Sequence, residues 1–144
     1  MSNEVLENNA TKLSAITKRR KARLESFDDA AKLKRQESEI KLGEIEEATN
    51  KTLGIDLAAV FLPDGRLMVA HKPSAAAHNK LMMAQSNGAM TDDVICDYVT
   101  ACLEYPATMI EAEKMFLDFA NAREALVNAG IQLHAVNQSN LLGK

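Results

Sequence analysis

The sequence predicts an α+β fold: a long, charged N-terminal helix followed by a small domain of one β-hairpin and three to four helices. Three observations predict it. Residues 1–52 hold 11 Lys+Arg and 10 Asp+Glu, with no proline, one glycine and a single aromatic, Phe27. A Pro63-Asp64-Gly65 turn separates two short apolar runs. Beyond it, Ser74, Thr91 and Thr108 each precede a run with apolar residues three or four apart, the signature of a capped helix.

The charged segment takes its helical reading from Leu6, Ala10, Leu13 and Ile16, then Leu24, Phe27 and Ala31, a narrow stripe at helical spacing. Arg20 interrupts the stripe where a heptad wants an apolar side chain, which argues against a sustained coiled coil. Leu33 and Ile40, then Leu42 and Ile45, suggest that the stripe changes phase near residue 33. The segment is one long helix or two consecutive ones, with the stripe lying on a partner or on the folded part. A single helix over residues 4–48 would be roughly 65–70 Å long.

The folded part opens with a hairpin near 55–62 and 66–71. Proline presets its backbone angle and Gly65 takes the positive-φ position. A lone hairpin is marginal, so helices must cover one of its faces. Ser74 caps the first of these, with Gly88 available near its end. Thr91 precedes Asp92 and Asp93, acids well placed against a helix dipole. Val94, Ile95, Tyr98, Val99, Cys102 and Leu103 then form a wide apolar face. Pro106 punctuates the chain, and Thr108-Met-Ile-Glu111 is a capping box. The final helical stretch is expected to close on Gly130, leaving a frayed tail. The domain reading is therefore a helical arm over 1–52, a small α+β domain over 53–136 and a flexible tail over 137–144.

Composition narrows the function classes. The 144 residues are 47% hydrophobic with a net charge of −3, enough for a core and against a surface built wholly for DNA. No stretch has the roughly 18 apolar residues of a membrane span, and the polar, acidic start lacks the pattern of a secretory signal. Cys96 and Cys102 sit six apart without a CxxC spacing, which fits unpaired thiols in a reducing compartment.

Catalytic and metal constellations are not apparent. His71, His78 and His134 are scattered without carboxylates at ligand spacing and read as surface or strand-end histidines. The glycines serve turns and caps instead of a phosphate loop. The expectation is a protein with no catalytic residue, no cofactor and no metal. Lys18, Arg19, Arg20, Lys21 and Arg23 are candidate phosphate contacts, but they spread around more than one helical turn. Glu25, Asp28 and Asp29 stand close enough to pair with them, and no aromatics interleave, so a solvated or partner-facing helix is the favoured reading over nucleic acid. Candidate protein-binding residues are Leu6, Leu13, Leu24 and Phe27 on the arm, and Leu81, Met82 and Met83, where adaptable methionines mark a candidate exposed patch.

From Leu57 to about Val136 the chain resembles the small phage tail assembly chaperones. The resemblance rests on an order of features: LAAVFLPDGRLMVAHKPSAAAHNKLMM, then a helix ending in Cys102-Leu103-Glu104-Tyr105-Pro106, then ATMIEAEKMFLDFANAREALVNAG. It implies a non-enzymatic binding protein that coats the apolar tape-measure protein before the tail tube polymerises, in the cytoplasm of the infected host. Tyr105, Pro106, Asp64 and Gly65 carry over as structural positions; no binding site does. The charged arm has no counterpart in that family. It favours an alternative, a structural capsid, neck or tail subunit of the virion whose arm docks on neighbours. Either way the partners are proteins, a homo-oligomer among the options, with no membrane.

Overall fold

A computed structural model describes the backbone of residues 2–143 and the side chains of residues 2–136. The charged segment is one uninterrupted helix, α1 (Asn3–Thr49). Ser2 caps it by accepting from the Val5 N–H, and Asn50 ends it in the left-handed conformation at φ 53°. Nothing between these ends breaks a helix, since the only glycine there is Gly43.

The hairpin is β1 (Leu57–Phe61) and β2 (Leu67–His71), with Ala59 opposite Val69 and Phe61 opposite Leu67. Its turn is closed by the Gly65 N–H on the Leu62 carbonyl (2.9 Å), with Gly65 at φ +93°. Asp64 also accepts from the Arg66 backbone N–H (3.1 Å) and from its Nε (2.8 Å), so the turn residue organises its own exit.

Four helices follow α1: α2 (Ala75–Ser86), α3 (Asp92–Cys102), α4 (Met109–Asp118) and α5 (Ala122–Gly143). Ser74, Thr91 and Thr108 each accept a backbone N–H from three residues ahead, as the cap signals predict. Two expectations are corrected here. The residues after Cys102 leave the helix and form a short third strand, β3 (Leu103–Tyr105), antiparallel to β2 and followed by a cis Tyr105–Pro106 bond. The last helix does not close on Gly130 but runs through it. There the missing side chain lets Tyr98 and Cys102 approach, and an added Cβ would meet Tyr98 at 3.0 Å and Cys102 Sγ at 3.2 Å. The tail 137–144, expected to be frayed, is helical through Gly143 as the end of α5, and its side chains lie outside the described ones.

The sheet, in order β1-β2-β3, is covered on both faces and not on one. Strand alternation divides the side chains. Met68 and Ala70 join Val99, Ala112, Leu126 and Leu133 in a core under α3, α4 and α5. Leu57, Leu67 and Val69 point the other way, onto Leu42 and Ile45 of α1, with Phe61 and Tyr105 at the border. Every residue of β2 from Leu67 to Ala70 is buried for this reason. A third cluster, Leu81, Tyr98 and Cys102, holds α2 against α3 and α5.

A candidate protein-binding surface on the helical arm

Only the C-terminal part of α1 is docked. Ser38 and Leu42 are its buried residues, and Ser38 Oγ donates a 2.6 Å hydrogen bond to the Gly65 carbonyl at the hairpin turn. Close by, the Arg35 guanidinium lies 3.5 Å from the centre of the Phe61 ring. The docked line is therefore Ala31, Ser38, Leu42 and Ile45, while Leu33 and Ile40 stand 59% and 65% exposed on the far side. This overturns the expected change of phase near residue 33. Leu24, Ala31 and Ser38 are seven apart, so the face that touches the sheet continues up the arm, slanting by only about 20° per seven residues.

Above Ala31 that face is uncovered. Leu6, Leu13, Leu24 and Phe27 are all exposed, between 51% and 65%. A run of large apolar side chains on one face of a helix that projects from its own core is the feature of this chain most in need of a partner. The second expected patch divides differently. Leu81 is core at 2% exposure, Met82 packs beside it, and only Met83 faces outward, at 64%. Helical spacing alone cannot say which side of α2 meets the fold, and Leu81 is the residue that does.

Lys18, Arg19, Arg20, Lys21 and Arg23 form a collar around the middle of the free arm. All five are exposed, and none forms an ion pair among the described residues. The pairing expected with Glu25, Asp28 and Asp29 is not made; the ion pairs of α1 are Lys34–Glu37 (3.6 Å) and Arg35–Glu39 (3.4 Å). The collar's positive field is left unneutralised by contact, available to whatever lies on the apolar face.

Where the arm meets the domain, an open groove of about 350 Å³ runs between α1, the hairpin turn, Pro106 and α4. The sequence offered no signal for it, because its walls come from segments far apart in the chain. One other feature escaped the sequence reading in the same way. His78 and His134 are not scattered: their rings stack at 3.7 Å between centres, 15° from parallel, joining α2 to α5. His78 Nδ1 lies 3.5 Å from the Tyr98 hydroxyl, and His134 Nδ1 is buried without a hydrogen-bond partner. Burial pushes the Cys102 thiol up to about 12, so it stays protonated and serves as a small apolar side chain. Burial raises Tyr98 too, with Cys102 adding to it.

His78 makes stability depend on pH. Burial lowers the His78 pKa below its ordinary 6.5, and the charge of His134 lowers it further. The folded state thus binds this proton less readily than the unfolded chain. The contribution is whole above 6.5 and is lost as pH falls below it, through the lower folded value. The urea midpoint is expected to drop between pH 7.5 and pH 5, and His78→Phe, which keeps a stacking ring without a proton, should remove much of that drop. An unchanged slope in the variant would refute this.

Among the described residues, no helix is long and apolar enough to cross a membrane. Compared with known protein families, curated proteins and solved structures, the chain finds no match.

Proposed function

We propose that this chain is a non-enzymatic assembly protein of a tailed bacteriophage, a tail assembly chaperone that covers apolar helical surface of the tape-measure protein until the tube forms around it. The observation that carries the reading is the uncovered face of α1, where Leu6, Leu13, Leu24 and Phe27 continue the line that Ala31, Ser38 and Leu42 dock on the sheet. A face of this kind is complementary to an amphipathic helix laid alongside it. The choice of partner rests on the resemblance of residues 57–136 to tail assembly chaperones, a resemblance that does not extend to the arm bearing this face. The work is done in the cytoplasm of the infected host, without a cofactor.

Co-expression tests it. Apolar helical segments of a tape-measure protein should stay soluble and co-purify with the full chain. Leu13→Asp combined with Phe27→Asp changes only exposed positions, so the fold should persist while co-purification is lost. If the parent chain holds no such segment in solution, the proposal fails.

The projecting arm with its collar favours one alternative, a structural virion subunit whose arm docks on neighbouring subunits. Mass spectrometry of purified particles separates the two. A fixed copy number in the mature particle supports the subunit reading, and absence supports the chaperone.

A further inference from the structure

The apolar line of the arm leads into the groove at its base. Leu6, Leu13, Arg20, Phe27, Lys34 and Lys41 recur every seven residues, so they trace one gently slanting line along α1. The first four lie on the free arm, and Lys34 and Lys41 form one wall of the groove. Its other surfaces include Leu67, Pro106 and Met115, an apolar lining, and Lys114 of α4.

Charge in the groove is lopsided. Arg66 is held by Asp64 and Asp118, both at 2.8 Å, and Lys34 by Glu37. Lys41, 5.5 Å from the centre of the Tyr105 ring, and Lys114 have no ion-pair partner among the described residues. Glu111 is the remaining acid of the lining. Farther up, Arg20 stands on the same line and the other four cations of the collar, Lys18, Arg19, Lys21 and Arg23, are set around the helix beside it, also unpaired. Positive charge thus borders the apolar line at two places, the collar and the groove, with Glu25, Asp28 and Asp29 between them, unpaired among the described residues.

We propose that the arm and the groove form one docking track for a helical segment of another protein whose apolar stripe is bordered by carboxylates. Its apolar side chains lie on Leu6, Leu13, Leu24 and Phe27, its carboxylates face the collar, and its end enters the groove with an acidic side chain between Lys41 and Lys114. This deepens the reading of the chain as a helix-covering protein and rests on it. A second copy of this chain paired through Leu13 and Leu24 is a poor occupant. Antiparallel pairing that sets Leu13 against Leu24 and Ala10 against Phe27 lays collar on collar, and parallel pairing does the same. Duplex DNA fits poorly as well, since Glu25, Asp28 and Asp29 follow the collar and the neighbouring face is apolar.

The test uses the full chain and two synthetic amphipathic helices of about 35 residues, the length of the track at 1.5 Å per residue. They share a leucine stripe; glutamates border it in one and lysines in the other. Fluorescence anisotropy should show the glutamate peptide binding at least about tenfold more tightly, with a preference that shrinks as salt is added. Lys41→Glu with Lys114→Glu should weaken that peptide about tenfold while the thermal melt stays in place. Equal binding of both peptides, an unaffected Lys41→Glu/Lys114→Glu variant, tighter binding of a short DNA duplex, or self-association lost in Leu13→Asp/Phe27→Asp would each overturn the track. A chain that holds tape-measure segments but does not discriminate between the peptides overturns the track and leaves the chaperone reading standing. Discrimination between peptides without capture of any tape-measure segment does the reverse.

Discussion

Replacing Gly65 with alanine is expected to destabilise the fold by about 2–4 kcal/mol and to loosen the arm from the domain. Two effects combine. Gly65 sits at φ +93°, where a side chain is strained whatever the space around it. An added Cβ would also press on the backbone of α1, meeting the Ala31 carbonyl and lying 2.7 Å from the Arg35 nitrogen. Backbone cannot rotate out of the way as a side chain can, so relief requires α1 to move. That displacement would in turn stretch the 2.6 Å bond from Ser38 Oγ to the Gly65 carbonyl. Urea denaturation measures the loss, and limited proteolysis near residues 31–38 reports the loosening. A stability within about 0.5 kcal/mol of the parent would show that the turn and the arm are not in the contact described.

Leu126→Ala should cost about 3 kcal/mol for a different reason. Leu126 is fully buried in α5, in the core it shares with Met68, Ala70 and Val99, so it binds the final helix to the central strand. Truncation removes the transfer free energy of the lost carbons and leaves a cavity between two rigid layers that cannot close around it. Against a total stability of roughly 5–15 kcal/mol this is a large share, visible as a clear drop in melting temperature. The same substitution at Leu117, 86% exposed on α4, should change little and serves as the control.

Much of the fold was legible where local chemistry decides structure. The turn at Pro63-Asp64-Gly65 and the caps at Ser74, Thr91 and Thr108 act over three or four residues, and each is where the sequence places it. Legibility failed where distant segments decide. Leu33 and Ile40 drew the stripe off course because periodicity counts apolar side chains, and the docked line runs through Ala31 and Ser38. Ser38 is buried because the Gly65 carbonyl, 27 residues away, accepts its proton. Gly130 resembled a helix terminator because sequence cannot show that Tyr98 and Cys102 need its missing side chain. Residues 103–105 followed a helix with no break before Pro106, yet β2 offered an open edge and they paired with it.

The candidate site divides along the same lines. Leu6, Leu13, Leu24 and Phe27 were readable because nothing else in the chain competes for them, so helical spacing alone gives their common face. Leu81 was misassigned, since α2 carries apolar residues on several sides and only contact with Tyr98 and Cys102 selects which is inside. The groove had no local signature, being assembled from α1, the hairpin, Pro106 and α4.

The central claim is that the uncovered face of α1 is a binding surface for an apolar helix, and amide hydrogen exchange of the full chain with a tape-measure segment tests it most directly. Slowed exchange should appear in residues 6–34, and along Lys41 and the start of α4, with α2 and the exposed side of Met83 unchanged. Exchange along the free arm that is the same with and without the segment, or protection confined to α2, would contradict the account.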